Sequence, residues 1–167
     1  MRRHSARFAV EGLLIATLAL SACGGSAPST NVLGTDFQAK AVAACEHALV
    51  LMQAEGAFPV PGFNPTNPDV TKLPAIANYL VLTDATFTTW ATEIDALGQP
   101  PTGAAAWADV VAAIHKHREL NADQIGAARA GDAARFTKDY QDGLTAQAAM
   151  LKAANAAGVP ECSKVDR

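Results

Sequence analysis

Apolar side chains recur at helical spacing along most of this chain, and glycines and prolines interrupt them in only a few places. The clearest run is Ile76, Leu80, Thr83, Phe87, Trp90, Ile94 and Leu97. Its alternating steps of four and three hold one stripe on one helix face. Thr71 is the candidate N-cap for this helix, and Gly98 with Pro100 and Pro101 ends it. A following helix is predicted from Thr102 to near Arg129, with Trp107, Val110, Val111, Ile114, Leu120 and Ile125 turned inward. Gly131 and Asp132 then read as a break and a new N-cap, although a kink in one longer helix is the other option. The last helix is expected to turn Phe136, Tyr140, Leu144, Ala148, Leu151 and Ala154 inward before Gly158 and Pro160. Ahead of these, a helix capped by Thr35 or Asp36 is expected to bury Phe37, Ala41, Ala44, Cys45, Ala48 and Met52 and to stop at Gly56.

Between the first two helices, residues 57–69 carry Pro59, Pro61, Pro65 and Pro68, which rule out a helix and favour an extended crossing loop. Phe58, Val60 and Phe63 in this loop either pack across the end of the helices, the favoured option, or form an exposed docking edge. Four amphipathic helices joined by one long and two short connections predict an all-α fold. Its expected form is an antiparallel up-down four-helix bundle over residues 35–167. Composition agrees: 167 residues with 50% hydrophobic content and only 6% aromatics suit one Ala-rich helical domain. No internal repeat or strand pattern competes with this assignment.

The first 22 residues follow another pattern. Arg2, Arg3 and Arg7 precede the apolar stretch 13–20, and Ser21 and Ala22 lead into Cys23. This basic, apolar, small-residue order is that of an export signal. The apolar stretch is well short of the roughly 20 residues a membrane span needs, and Glu11 precedes it. Leu20-Ser21-Ala22-Cys23 resembles the lipobox of bacterial lipoproteins, in which the cysteine receives diacylglycerol and further acyl chains such as palmitate. The alternative is an ordinary secretory signal beside a coincidental cysteine. The lipobox implies cleavage after residue 22 and an anchored mature chain, because several acyl chains hold a membrane stably where one does not. Residues 23–34, rich in Gly, Ser and Thr, are then expected to form a flexible tether.

Beyond Cys23 the chain has two cysteines, Cys45 and Cys162, and an even pair in an oxidising compartment is expected to be bonded. In an up-down bundle the end of the last helix lies beside the start of the first, which lets the tail bring Cys162 to Cys45. Removing the leader takes away three of the 13 basic residues and one of the 16 acidic ones, leaving a net charge of −5. Nucleic acids and anionic surfaces are therefore not expected as partners.

Candidate chemistry is sparse. In the run from His115 to Glu119, His115 and Glu119 share a helix face and His117 points elsewhere, so one metal site is not expected there. Glu46 and His47 on the first helix would join a metal site only by converging in three dimensions with His115 or His117, which spacing along the chain does not reveal. His117 and Asn121 fall at the inward edge of the third helix, where a polar side chain is either a satisfied structural contact or the wall of a small ligand site. Trp90 and Trp107 lie on apolar stripes and are expected in the core. No nucleophile elbow or phosphate-binding glycine loop occurs, so neither catalysis nor a cofactor is expected.

The layout as a whole resembles small Ala-rich actinobacterial lipoproteins: a cysteine in the first helix, a tryptophan in the second, Gly131-Asp132 before the last, and a closing Gly158-Val159-Pro160-Glu161-Cys162. That resemblance implies a helical envelope protein without catalytic residues. The expected role is an extracytoplasmic lipoprotein, anchored to the membrane through Cys23, that binds or scaffolds an envelope protein. The alternative is a lipoprotein that captures a small molecule or metal in the bundle core.

Overall fold

The computed structural model describes residues 32–165. The expected export signal, Cys23 and the expected tether up to residue 31 lie outside the described residues. Four long helices make up the body: α1 (Thr35–Ala54), α2 (Leu73–Leu97), α3 (Ala104–Ala130) and α4 (Ala133–Ala157). Short 3-10 turns at Val70–Lys72 and Pro160–Lys164 complete it, and no strand occurs among the described residues. No helix among the described residues is long and apolar enough to cross a membrane.

Glycine and Asp132 set several of the boundaries. Gly131 adopts φ 67° and closes α3, its N–H bonding back to the last carbonyls. The Asp132 carboxylate then accepts the Arg135 N–H at 3.0 Å and opens α4. The two helices are therefore separated by a true turn. Left-handed backbone favours glycine there because it has no Cβ to clash. The threonine caps expected from the sequence move. Gly34, with no side chain to offer, occupies the N-cap of α1, and Thr35 is already helical. Thr71 sits inside the 3-10 turn, where Asp69 accepts both its N–H and its hydroxyl. Thr102 gives way to Gly103 as the cap of α3 and donates its hydroxyl to the Val32 carbonyl instead.

That last bond belongs to a packed entry segment. Leu33 is fully buried and Val32 packs against the core, within the stretch expected to be tether. A Cβ on Gly103 would stand 2.5 Å from the Val32 carbonyl oxygen, so the crossing requires glycine for space as well as for its φ of 69°.

Each helix packs on the next in sequence, whereas α1 and α4 barely meet directly; the turn Pro160–Lys164 bridges them. The Cys45–Cys162 disulfide fixes this bridge, with Cα atoms 4.8 Å apart. The apolar interior forms two clusters. The larger joins Ala41, Cys45 and Ala48 to Phe87, Trp90, Ile94, Trp107, Val110, Ile114, Met150 and Ala154. Phe37 meets the Trp107 ring edge-on at 5.1 Å, and the Trp107 N–H donates to the Gly98 carbonyl. The smaller cluster, Leu73, Ile76, Ala77, Ala127, Ala128 and Phe136, lies at the opposite end. Val60 and Phe63 of the proline-rich loop pack on it, and the Thr137 hydroxyl holds the loop through the Pro65 carbonyl.

The stripes of α2 and α3 match expectation, whereas that of α4 does so only at Phe136 and Ala154, with Tyr140 partly buried. Leu144 and Leu151, expected inside, are 50% and 39% exposed, and Ala148 is exposed too. The buried positions are Phe136, Asp139, Ala146, Met150, Ala153, Ala154 and Ala157. Close packing against α3 and the C-terminal turn selects alanines, while Leu144 borders an open cleft and Leu151 falls on the outer flank.

Candidate functional site

Between the two apolar clusters the interior turns polar. Thr83, Thr86, His117, Asn121 and Asp139 are five of the six buried polar residues among those described. Thr83, Thr86, His117 and Asn121 come from the middle of α2 and α3, and Asp139 from the second turn of α4. A cleft of about 410 Å³ opens at this level, lined by Tyr79, Leu80, Thr83 and Phe87 of α2, by His117, Leu120, Asn121 and Gln124 of α3 and by Asp139, Tyr140, Gly143, Leu144 and Gln147 of α4. Met52 and Val165 close it at one side. The size falls within the roughly 300–1,000 Å³ of small-molecule sites, and an apolar lining with a few convergent polar groups is their usual chemistry. A larger groove of about 560 Å³ runs along Gly34, Lys40, Leu97 and Pro101, but no buried polar side chain points to it.

His117 and Asn121, the pair singled out from the sequence, both stand on the cleft wall because i and i+4 share a helix face. The His117 ring stacks on Phe87, with centroids 6.2 Å apart. Burial holds its pKa below 6.5, and a hydrogen bond with the Ala146 backbone opposes that shift only in part. The ring is therefore neutral at physiological pH. The Asn121 amide donates to the Leu80 carbonyl at 3.2 Å and, at 3.4 Å, to the Asp84 carboxylate.

Three groups of this band went unnoticed in the sequence. Glu55, just past α1, spreads its carboxylate over two hydroxyls: Thr83 donates at 2.9 Å and Thr86 at 2.5 Å. Asp139 is only 7% exposed, and its Oδ2 has no hydrogen-bond partner among the described residues. The Arg135 Nε lies 3.6 Å from it while the same guanidinium bonds Asp123 at 2.9 Å. Desolvation raises the Asp139 pKa, repulsion from Asp123 adds to this, and Arg135 opposes it. Gly143, in the middle of α4, lines the cleft, and a Cβ there would meet nothing within 4 Å. A mid-helix glycine is about 1 kcal/mol worse than alanine, so the open space has an intrinsic cost.

The other histidines are dispersed. His47 pairs with Glu93 across α1 and α2 at 2.9 Å, and His115 pairs with Asp95 at 3.0 Å. Glu119 binds Lys116 and does not join His115. Among the described residues no group of three or more His, Cys, Asp or Glu side chains could hold a metal ion. Trp90 and Trp107 are core residues. No protein-family model, curated protein or solved structure matches this chain.

Proposed function

We propose that the protein is an extracytoplasmic lipoprotein that captures a small, largely apolar molecule in the cleft of its helical domain. One observation supports the ligand role: an open cleft of about 410 Å³ gathers four buried polar side chains, Thr83, His117, Asn121 and Asp139, on a largely apolar wall. A helical body serving only as a support would gain by filling that gap, since buried polar groups and voids both cost stability. The anchoring role rests on the residues preceding Cys23 and on the Cys45–Cys162 bond, which suits an oxidising compartment.

The domain is an up-down antiparallel bundle in this proposal. Contacts that support it run in opposite directions along paired helices: His47 with Glu93 but Glu55 with Thr83, and Asp95 with His115 but Leu80 with Asn121.

The test uses the neutral fluorophore N-phenyl-1-naphthylamine with the purified protein. Saturable fluorescence enhancement is expected, and Gly143→Leu should abolish it without unfolding the domain, because the new side chain enters open space. Enhancement that is absent, or that survives Gly143→Leu unchanged, removes the ligand role. Separately, a labelled fatty acid should appear on the wild type in cells and vanish in Cys23→Ala. Equal labelling of both would defeat the anchor.

A scaffolding role has one observation in its favour, the exposed Leu151 on the outer flank of α4 beside Ala148. Loss of a reproducible envelope partner in Leu151→Lys, with fluorophore binding intact, would assign that role to this flank.

A further inference from the structure

We infer, building on the ligand role proposed above, that the cleft selects organic cations: its occupant is an amphipathic amine whose apolar body lies on Leu80, Phe87, Leu120 and Leu144 and whose ammonium group is held by Asp139.

Asp139 is a carboxylate on the cleft wall, more than nine-tenths buried, with one oxygen left without a hydrogen bond. Its nearest cation, Arg135, is already engaged by Asp123 and reaches Asp139 only at 3.6 Å. Buried acceptors in folded proteins are nearly always partnered, and an ammonium group, with three N–H donors, is the partner that best completes a carboxylate. The rest of the cleft has the matching sign. No lysine or arginine lines it, and His117 carries no positive charge at neutral pH. Asp84 stands behind Asn121, and Glu55 behind Thr83. The rings of Tyr79, Tyr140 and Phe87 add π faces to the lining, and such faces attract cations. A bound ammonium group would relieve both the desolvation and the Asp123 repulsion that burden the Asp139 carboxylate. An anionic ligand would add to that repulsion.

Three probes with one apolar body and different head groups separate the possibilities: octylamine, octan-1-ol and octanoate, titrated calorimetrically into the purified protein at neutral pH. Octylamine should bind about tenfold more tightly than octan-1-ol, the size of one charge-assisted hydrogen bond, and octanoate should be weakest. Asp139→Asn should bring octylamine to the affinity of octan-1-ol while leaving octan-1-ol unchanged. Equal binding of the amine and the alcohol, or an amine preference that persists in Asp139→Asn, overturns the cation selectivity and leaves the ligand role standing. Failure of all three probes to bind removes both. The ranking on the wild type decides the matter even if the variant does not fold.

Discussion

A histidine stacked on Phe87 inside a helical body couples the cleft to proton concentration. In the folded chain the His117 pKa lies below 6.5, whereas in the unfolded chain it returns to about that value. Between the two values the unfolded chain binds more protons, so stability rises with pH. The contribution is therefore complete above pH 6.5 and is lost as pH falls through the depressed folded value. His117→Gln, which does not titrate, should lack this component. Urea midpoints measured for both proteins across the acidic range should diverge below about pH 6.5, with the wild type falling more steeply. Parallel curves would mean that the ring is as easily protonated folded as unfolded. Asp139 acts with the opposite sign: its raised pKa makes the folded state lose stability as pH rises through it. The same substitution leaves that background nearly intact, which is why the difference between the two curves is the readout.

At the scale of elements, the helix that sequence periodicity placed least well is α4, and the reason is its composition. Along α2 and α3 the bulkiest apolar residues, Ile76, Trp90, Ile94, Trp107 and Ile114, are buried and their spacing marks the inner face, although Val81 and Leu82 of α2 are exposed. In α4 alanines occur on every side, and the large residues Tyr140, Leu144 and Leu151 form a regular stripe of their own. Size therefore selects a face that is only partly covered, Tyr140 and Leu144 bordering the cleft and Leu151 facing outward. The site was legible to the same degree as its helices. His117 and Asn121 were visible because α3 had a clear inner face, whereas Asp139 was hidden by the misplaced face of α4 and by the usual exposure of aspartate. Glu55 was hidden because its partners Thr83 and Thr86 are distant in sequence. The observed phase of α4 has a direct test. Met150→Ala should cost about 2–5 kcal/mol, because the side chain is fully buried in the larger cluster, while Leu151→Lys should change stability by about 0.5 kcal/mol or less. Chemical denaturation of the two variants would show the reverse order if α4 were turned to the face its leucines suggest.

For the molecule as a whole, the decisive constraint is the bond between Cys45 and Cys162, 117 positions apart. Because α1 and α4 share few close backbone contacts, the turn Pro160–Lys164 and its disulfide add a direct covalent link between helices otherwise joined through the shared core and the hydrogen bond of the Gln38 amide to the Gly158 carbonyl. Closing so long a loop restricts the unfolded chain by about 4–5 kcal/mol in the chain-entropy model, a large part of the stability of a small domain. The double variant Cys45→Ser, Cys162→Ser should therefore unfold at a much lower urea concentration than the oxidised wild type. The cleft is linked to the same bond, since Val165, directly after the bridging turn, is buried and forms part of the cleft wall. Without the disulfide this end of the chain is held by packing and by a few hydrogen bonds, such as that of the Gln38 amide to the Gly158 carbonyl, and its local opening should precede global unfolding. In the absence of urea, where the double variant is still folded by circular dichroism, its affinity for N-phenyl-1-naphthylamine should already be weakened. An unchanged affinity in a folded double variant would show that packing and these hydrogen bonds keep Val165 in place, and the disulfide would then act on the unfolded chain only.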